Sequence, residues 1–130
     1  MRVVAAIIIY DGHLVAFKRR YSEDKSISKK YEFPGGKVKK NESDLQALKR
    51  EIKEELNIKL IGVQFFCKAK HQYVDKTINL ICYICKIENL KFELKVHIGF
   101  KLLNKYNVLS EDWLAADYSI LRALIEKKII

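Results

Sequence analysis

At 130 residues, with 49% of them hydrophobic, the chain is long enough to bury one real core and too short for two, so residues 1–130 read as a single domain. Its 25 basic against 16 acidic residues give a formal charge of +9, carried by lysines scattered along the chain. That distribution suits the steering of a small polyanion and argues against a stable nucleic-acid complex.

No basic n-region precedes an apolar h-region, and no apolar run is long enough to span a bilayer, which predicts a soluble, cytoplasmic protein without membrane contact. Cys67, Cys82 and Cys85 are too few and too irregular for a disulfide framework. In chain order, residues 3–10 are rich in Val and Ile and predict a buried strand. Asp11-Gly12 is a tight-turn signal leading into a second strand over residues 14–18. Residues 19–30 are polar and predict an exposed loop, followed by Glu32-Phe33-Pro34-Gly35-Gly36, where two glycines allow close backbone approach to a ligand. Ser43 and Gln46 form a capping-box pair, so a helix is expected to begin at Asp44. At roughly 100° per residue, Leu45, Leu48, Ile52 and Leu56 fall on one packing side, and Glu51, Glu54 and Glu55 form a neighbouring stripe.

Residues 59–70 and 77–87 predict long strands joined by a hairpin around Val74-Asp75-Lys76. Cys82 and Cys85 lie inside the second, and residues three apart on a strand point to opposite faces, so both read as buried hydrophobes and not as a metal pair. Residues 89–99 suggest a short edge strand and a loop, and residues 100–103 a return to the sheet. A last helix running through Ile125 would be capped by Asp117 or Ser119 and would turn Ile120, Leu121, Leu124 and Ile125 inward. Strands interleaved with two helices imply an α/β fold with a mixed sheet between helical layers.

Three glutamates within two helical turns repel one another. They are either a solvated acidic face or the ligands of a hard divalent cation such as Mg²⁺ or Mn²⁺. The pattern around them decides between these: Gly36, Glu42, Arg50-Glu51-Ile52, Glu54-Glu55 and Ile58 match the Nudix box, Gly-x5-Glu-x7-Arg-Glu-U-x-Glu-Glu-x-Gly-U with U aliphatic, at every spacing. Asn57 stands where the family has glycine, and Asn is the next-best residue for a left-handed helix end. The preceding Tyr31-Glu32-Phe33-Pro34-Gly35-Gly36-Lys37 resembles the MutT-like branch of that family.

The resemblance implies a Nudix α/β/α sandwich and an enzyme that hydrolyses a nucleotide diphosphate linkage. It implies Glu51, Glu54 and Glu55 as metal ligands, joined by the Gly36 carbonyl, with Arg50 orienting the carboxylates and Glu42 tying back the loop. By position, Arg20 and Lys37 are expected on the phosphate side, and Glu32, Phe33, Tyr73 and Lys76 around the nucleotide. Asp117 is expected either to read the base edge or to cap the last helix. Relatives place a glutamate before a histidine ahead of the late strand, where this chain has Val96 beside His97; Glu93 or Glu88 could take over that role. His71 and His97 have no partner at ligand spacing and read as structural. The substrate class implied is a nucleoside triphosphate, cleaved to a monophosphate and pyrophosphate, with 8-oxo-dGTP preferred. The alternatives are CTP or dCTP, ADP-ribose, or a nucleotide-binding module without turnover, and the protein would be a monomer or homodimer.

Overall fold

The computed structural model describes all residues 1–130. Strand β1 (Arg2–Tyr10) turns at Asp11-Gly12 into β2 (His13–Lys18), and short strands β3 (Tyr31–Glu32) and β4 (Gly35–Lys37) lead to helix α1 (Asp44–Leu56). Strands β5 (Ile61–Gln72), β6 (Thr77–Lys86) and β7 (Gly99–Leu103) follow, then two single 3-10 turns, Val108–Ser110 and Ala115–Asp117, and helix α2 (Tyr118–Glu126). The sheet is mixed. β1 pairs parallel with β6 along most of its length, while every other strand pair is antiparallel.

The layering follows from the pleat. Val4, Ala6 and Ile8 of β1, Val15 and Phe17 of β2, and Ile81, Tyr83 and Cys85 of β6 all face Leu48, Ile52 and Leu56 of α1. The alternate residues Ala5, Ile7, Leu14, Ala16, Leu80 and Cys82 face Ile120, Leu121 and Leu124 of α2 on the other side. A sheet covered on both faces makes its central strands almost continuously apolar, which is why residues 3–10 carry no alternation. Cys82 and Cys85 fall in opposite layers, as strand geometry requires.

Helix α1 starts where the capping box predicts, with Ser43 and Gln46 bonded reciprocally, and ends at Asn57 in the left-handed conformation (φ 53°, ψ 43°). Four expectations are corrected. Leu45 is exposed at the start of the helix, while Ala47, about 200° round from it, packs with Leu48 and Ile52 in the core. The strand expected over residues 59–70 runs over Ile61–Gln72, since Leu60 packs into the core before the ladder begins. Residues 89–98 hold no strand. Neither Asp117 nor Ser119 caps α2: Asp117 itself is helical (φ −85°, ψ −21°), whereas a capping side chain needs extended backbone, and the 3-10 turn runs straight into the helix.

Candidate active site

Arg50 gathers the acidic face of α1 around one positive charge. Its Nε and Nη2 donate to the two Glu42 oxygens at 2.7 and 2.9 Å, Nη1 donates to Glu51 at 2.9 Å and to Glu54 at 3.3 Å, and Nη2 also reaches the Lys37 carbonyl at 3.0 Å. A planar fork with this many partners is held in one orientation. Glu42 accepts a further bond from the Lys39 amide at 2.9 Å, and with Arg50 this pulls its carboxyl down to about 2. The Arg50 guanidinium is correspondingly raised. The loop before α1 is thereby tied to its acidic face.

The two glycines of β4 serve different neighbours. A Cβ on Gly35 would lie 2.0 Å from the Val4 carbonyl oxygen, so Gly35 lets β4 pair closely with β1. A Cβ on Gly36 would lie 2.4 Å from the Glu51 carboxyl carbon, so the missing side chain is the space that Glu51 fills. Glu55 is turned further inward than its stripe suggests. Seven residues after Leu48, it sits only about 20° from it around the helix and points partly into the buried side. Burial, and then the charges of Glu32 and Glu51, push its carboxyl up to about 8, against the pull of the Gly35 amide. Glu55 Oε2 is buried with no hydrogen-bond partner.

Two adjoining cavities share Glu32, Glu55 and Arg19 as a common wall. One, about 420 Å³, is lined by Glu51, Glu54, Arg20 and His97. The other, about 470 Å³, is lined by Phe33, Gly36, Lys37, Tyr73, Lys76 and Asp117. The residues anticipated around a ligand divide between them: Glu51, Glu54 and Arg20 border the first, Phe33, Gly36, Lys37, Tyr73, Lys76 and Asp117 the second, and Glu32 and Glu55 both, while Arg50 and Glu42 stand behind the walls. Arg20 is fixed by bonds to the Val96 and Lys95 carbonyls at 3.0 and 3.1 Å. The Phe33 ring packs on Trp113 (centroids 5.2 Å apart), and Lys76 Nζ stands 5.9 Å over the Tyr73 ring. Asp117 is 4% exposed with Oδ2 buried and unpartnered, and burial, then Glu32, holds its carboxyl well above the usual range.

Two site residues lack any local signal. Arg19 pairs with Glu32 at 2.9 Å, and His97, expected to be merely structural, bonds Glu32 at 2.8 Å from the opposite side. Their partner is distant in sequence, so no spacing reveals it. Glu93 and Glu88 do not reach either cavity: Glu93 accepts from the Asn57 side chain at 3.1 Å, and Glu88 lies at the far end of the sheet.

The donor set suits a hard divalent cation. Glu55 Oε2 is an oxygen with no partner inside the protein, and the Gly36 cradle keeps Glu51 beside the β4 backbone. The three glutamates do not converge on one point in the structure, because Arg50 draws Glu51 and Glu54 toward itself.

The NUDIX domain family model matches residues 1–97. The chain is 33% identical over 100 residues to an 8-oxo-dGTP diphosphatase of Buchnera aphidicola subsp. Acyrthosiphon pisum, covering 61% of this chain and 81% of that protein. It is 36% identical over 80 residues to a CTP pyrophosphohydrolase of Escherichia coli, covering 62% of this chain but only 58% of that protein. Among solved structures it superposes on the E. coli ORF135 protein with a TM-score of 0.82 at 28% identity, covering 98% of this chain and 89% of the other.

Proposed function

The chain belongs to the Nudix family of nucleotide-diphosphate hydrolases, in its MutT-like branch, and on that premise we propose a Mg²⁺-dependent nucleoside triphosphate pyrophosphohydrolase. It would release a monophosphate and pyrophosphate, with 8-oxo-dGTP as preferred substrate and residues 1–130 working as one cytoplasmic domain. No helix is long and apolar enough to cross a membrane.

The observation that carries this reading is Glu55, a carboxylate with one unpartnered oxygen, standing in the wall between an acidic cavity and a mixed one. Glu51, Glu54, Glu55 and the Gly36 carbonyl would hold Mg²⁺ or Mn²⁺, which supplies charge neutralisation at the diphosphate and a lowered pKa for the attacking water. Arg50 keeps Glu51 and Glu54 oriented, and Glu42 keeps Arg50 oriented, a support of the kind that metal sites depend on. Lys37 and Arg20 offer cations to the phosphates. Tyr73 and Phe33 offer aromatic faces to the base.

Asp117 is the group we assign to reading the base. Burial shifts this carboxyl toward its protonated form, and in that form it offers one donor and one acceptor side by side. That pair matches the N1–H and O6 edge of an oxidised guanine. It also matches the N3 and N4 edge of cytosine, and the similarity to a CTP pyrophosphohydrolase makes CTP or dCTP the second reading.

The test is a panel of 8-oxo-dGTP, dGTP, CTP, dCTP and ADP-ribose with Mg²⁺, scored for pyrophosphate or monophosphate release. The highest kcat/KM is expected for 8-oxo-dGTP. No turnover of any triphosphate would remove the proposal. Asp117→Ala should cost about 1.5–3 kcal/mol in kcat/KM for the preferred nucleotide and level the ranking.

A further inference from the structure

Glu32 stands where the two cavities meet, and it is held there by two donors. Arg19 Nη1 reaches Oε1 at 2.9 Å, and His97 Nε2 reaches Oε2 at 2.8 Å. The imidazole has 1% of its side chain exposed and lies against the Phe17 ring, centroids 5.3 Å apart. The strap carrying it is pinned on both sides. The Lys95 amide donates to the Glu55 carbonyl at 3.1 Å, and the Ile98 amide to the Lys18 carbonyl at 2.9 Å.

His97 Nδ1 is buried and has no partner. A proton on it would be a buried donor without an acceptor, and an ionised carboxylate can only accept, so the ring proton belongs on Nε2, aimed at Glu32. With one nitrogen engaged and the other sealed, the ring is badly placed to carry protons to or from a substrate. It is well placed to fix a rotamer.

We propose that His97 is a positioning residue for nucleotide binding, whose Nε2–H sets the place of the Glu32 carboxylate and, through it, of the Arg19 guanidinium and the strand that presents Phe33. The proposal rests on reading the Phe33–Tyr73–Asp117 cavity as the nucleotide site. Without the imidazole donor, one Glu32 oxygen would be left unpaired in a partly buried wall, free to turn wholly onto Arg19. Glu32 also bears electrically on Glu55 and Asp117, raising both, so its position matters to each cavity.

Binding of product nucleotides without metal separates this from turnover. Metal-free, full-length wild type, His97→Leu, His97→Gln, Glu32→Leu and the Glu32→Leu/His97→Leu double variant would be titrated calorimetrically with 8-oxo-dGMP and with CMP. His97→Leu fills the space without a donor and should weaken the tighter monophosphate about tenfold, the usual scale for losing a charge-assisted hydrogen bond. His97→Gln, whose amide nitrogen can take the place of Nε2, should restore most of that affinity. The double variant should lose little more than the single ones, since both break one linkage.

Unchanged affinity in His97→Leu would overturn the proposal, as would His97→Gln binding as weakly as His97→Leu, which would mark a packing role. Should His97→Leu not fold, nitrogen NMR of the wild-type imidazole decides: a slowly exchanging Nε2–H that loses its protection in Glu32→Leu supports it, and a proton on Nδ1 overturns it. A wild type that binds neither monophosphate also overturns it. One that binds a monophosphate but hydrolyses no triphosphate removes the proposed reaction and leaves the role of His97 standing.

Discussion

Glu55 occupies a position that a helix built for stability alone would give to an apolar residue. It lies on the partly buried side of α1, beside Leu48, and carries a carboxyl pushed up to about 8 by that burial. Glu55→Gln keeps the shape and removes the charge. Nucleotide hydrolysis should fall by roughly a hundredfold or more, as expected for loss of a metal ligand or its orienting shell. The metal-free melting temperature should hold near neutral pH, where the raised carboxyl is mostly protonated, and rise above about pH 8, where the amide has no ionised form to bury. Pyrophosphate release and a thermal melt on the same preparation check both halves, and an unchanged rate would contradict the ligand assignment. At this scale the acidic stripe was legible because its members are close in sequence. The Glu32 cluster was not: its donors lie 13 and 65 residues away, and only the fold brings them together.

Elements read well from the sequence where their ends carry local chemistry. Asp11 and Gly12 both take positive φ (49° and 74°) in the β1–β2 turn, and the Ser43–Gln46 box places the start of α1. The short strands β3 and β4 have no counterpart among the predicted elements, because nothing in Tyr31-Glu32-Phe33-Pro34-Gly35-Gly36 shows that β2 and β1 will pair with it. Asp117 was ambiguous for a related reason: an Asp ahead of a helix looks the same whether it caps or enters a cavity, and only the backbone angles separate the two. The glycines of β4 then give a paired prediction. Gly35→Ala drives a Cβ onto the Val4 backbone at a φ of 157° and should destabilise the fold by about 1–3 kcal/mol. Gly36→Ala meets only the flexible end of Glu51, so melting should change little while hydrolysis falls. Equal melting losses for the two would refute the division of labour. Asn57→Gly, at a left-handed helix end, should be neutral to slightly stabilising in a denaturant melt, less whatever its side-chain bond to Glu93 contributes.

Over the whole molecule, two buried layers on one sheet leave few places where an ionisable group can sit without water, and the candidate site uses them. Glu55 and Asp117 are both raised above their ordinary values by burial, while Glu42 is drawn down to about 2 by Arg50. These shifts fix the sign of the pH dependence of stability. A carboxyl whose folded value is raised contributes fully below its unfolded value, about 4.5, and that contribution is lost as pH rises through about 8. A carboxyl whose folded value is lowered contributes above its unfolded value and is lost only as pH falls through about 2, outside the working range. The metal-free protein should therefore melt several degrees higher at about pH 5.5 than at about pH 8.5, the reverse of a fold whose surface carboxylates are all paired. Glu55→Gln should flatten part of that slope, because the amide does not titrate. Mg²⁺ binds the ionised carboxylate in competition with protons, so its stabilising effect should be larger at the higher pH. Melts at the two pH values, with Mg²⁺ and with a chelator, measure all three effects. A metal-free protein more stable at the alkaline end would mean that Glu55 is not held in the desolvated position on which the metal assignment depends.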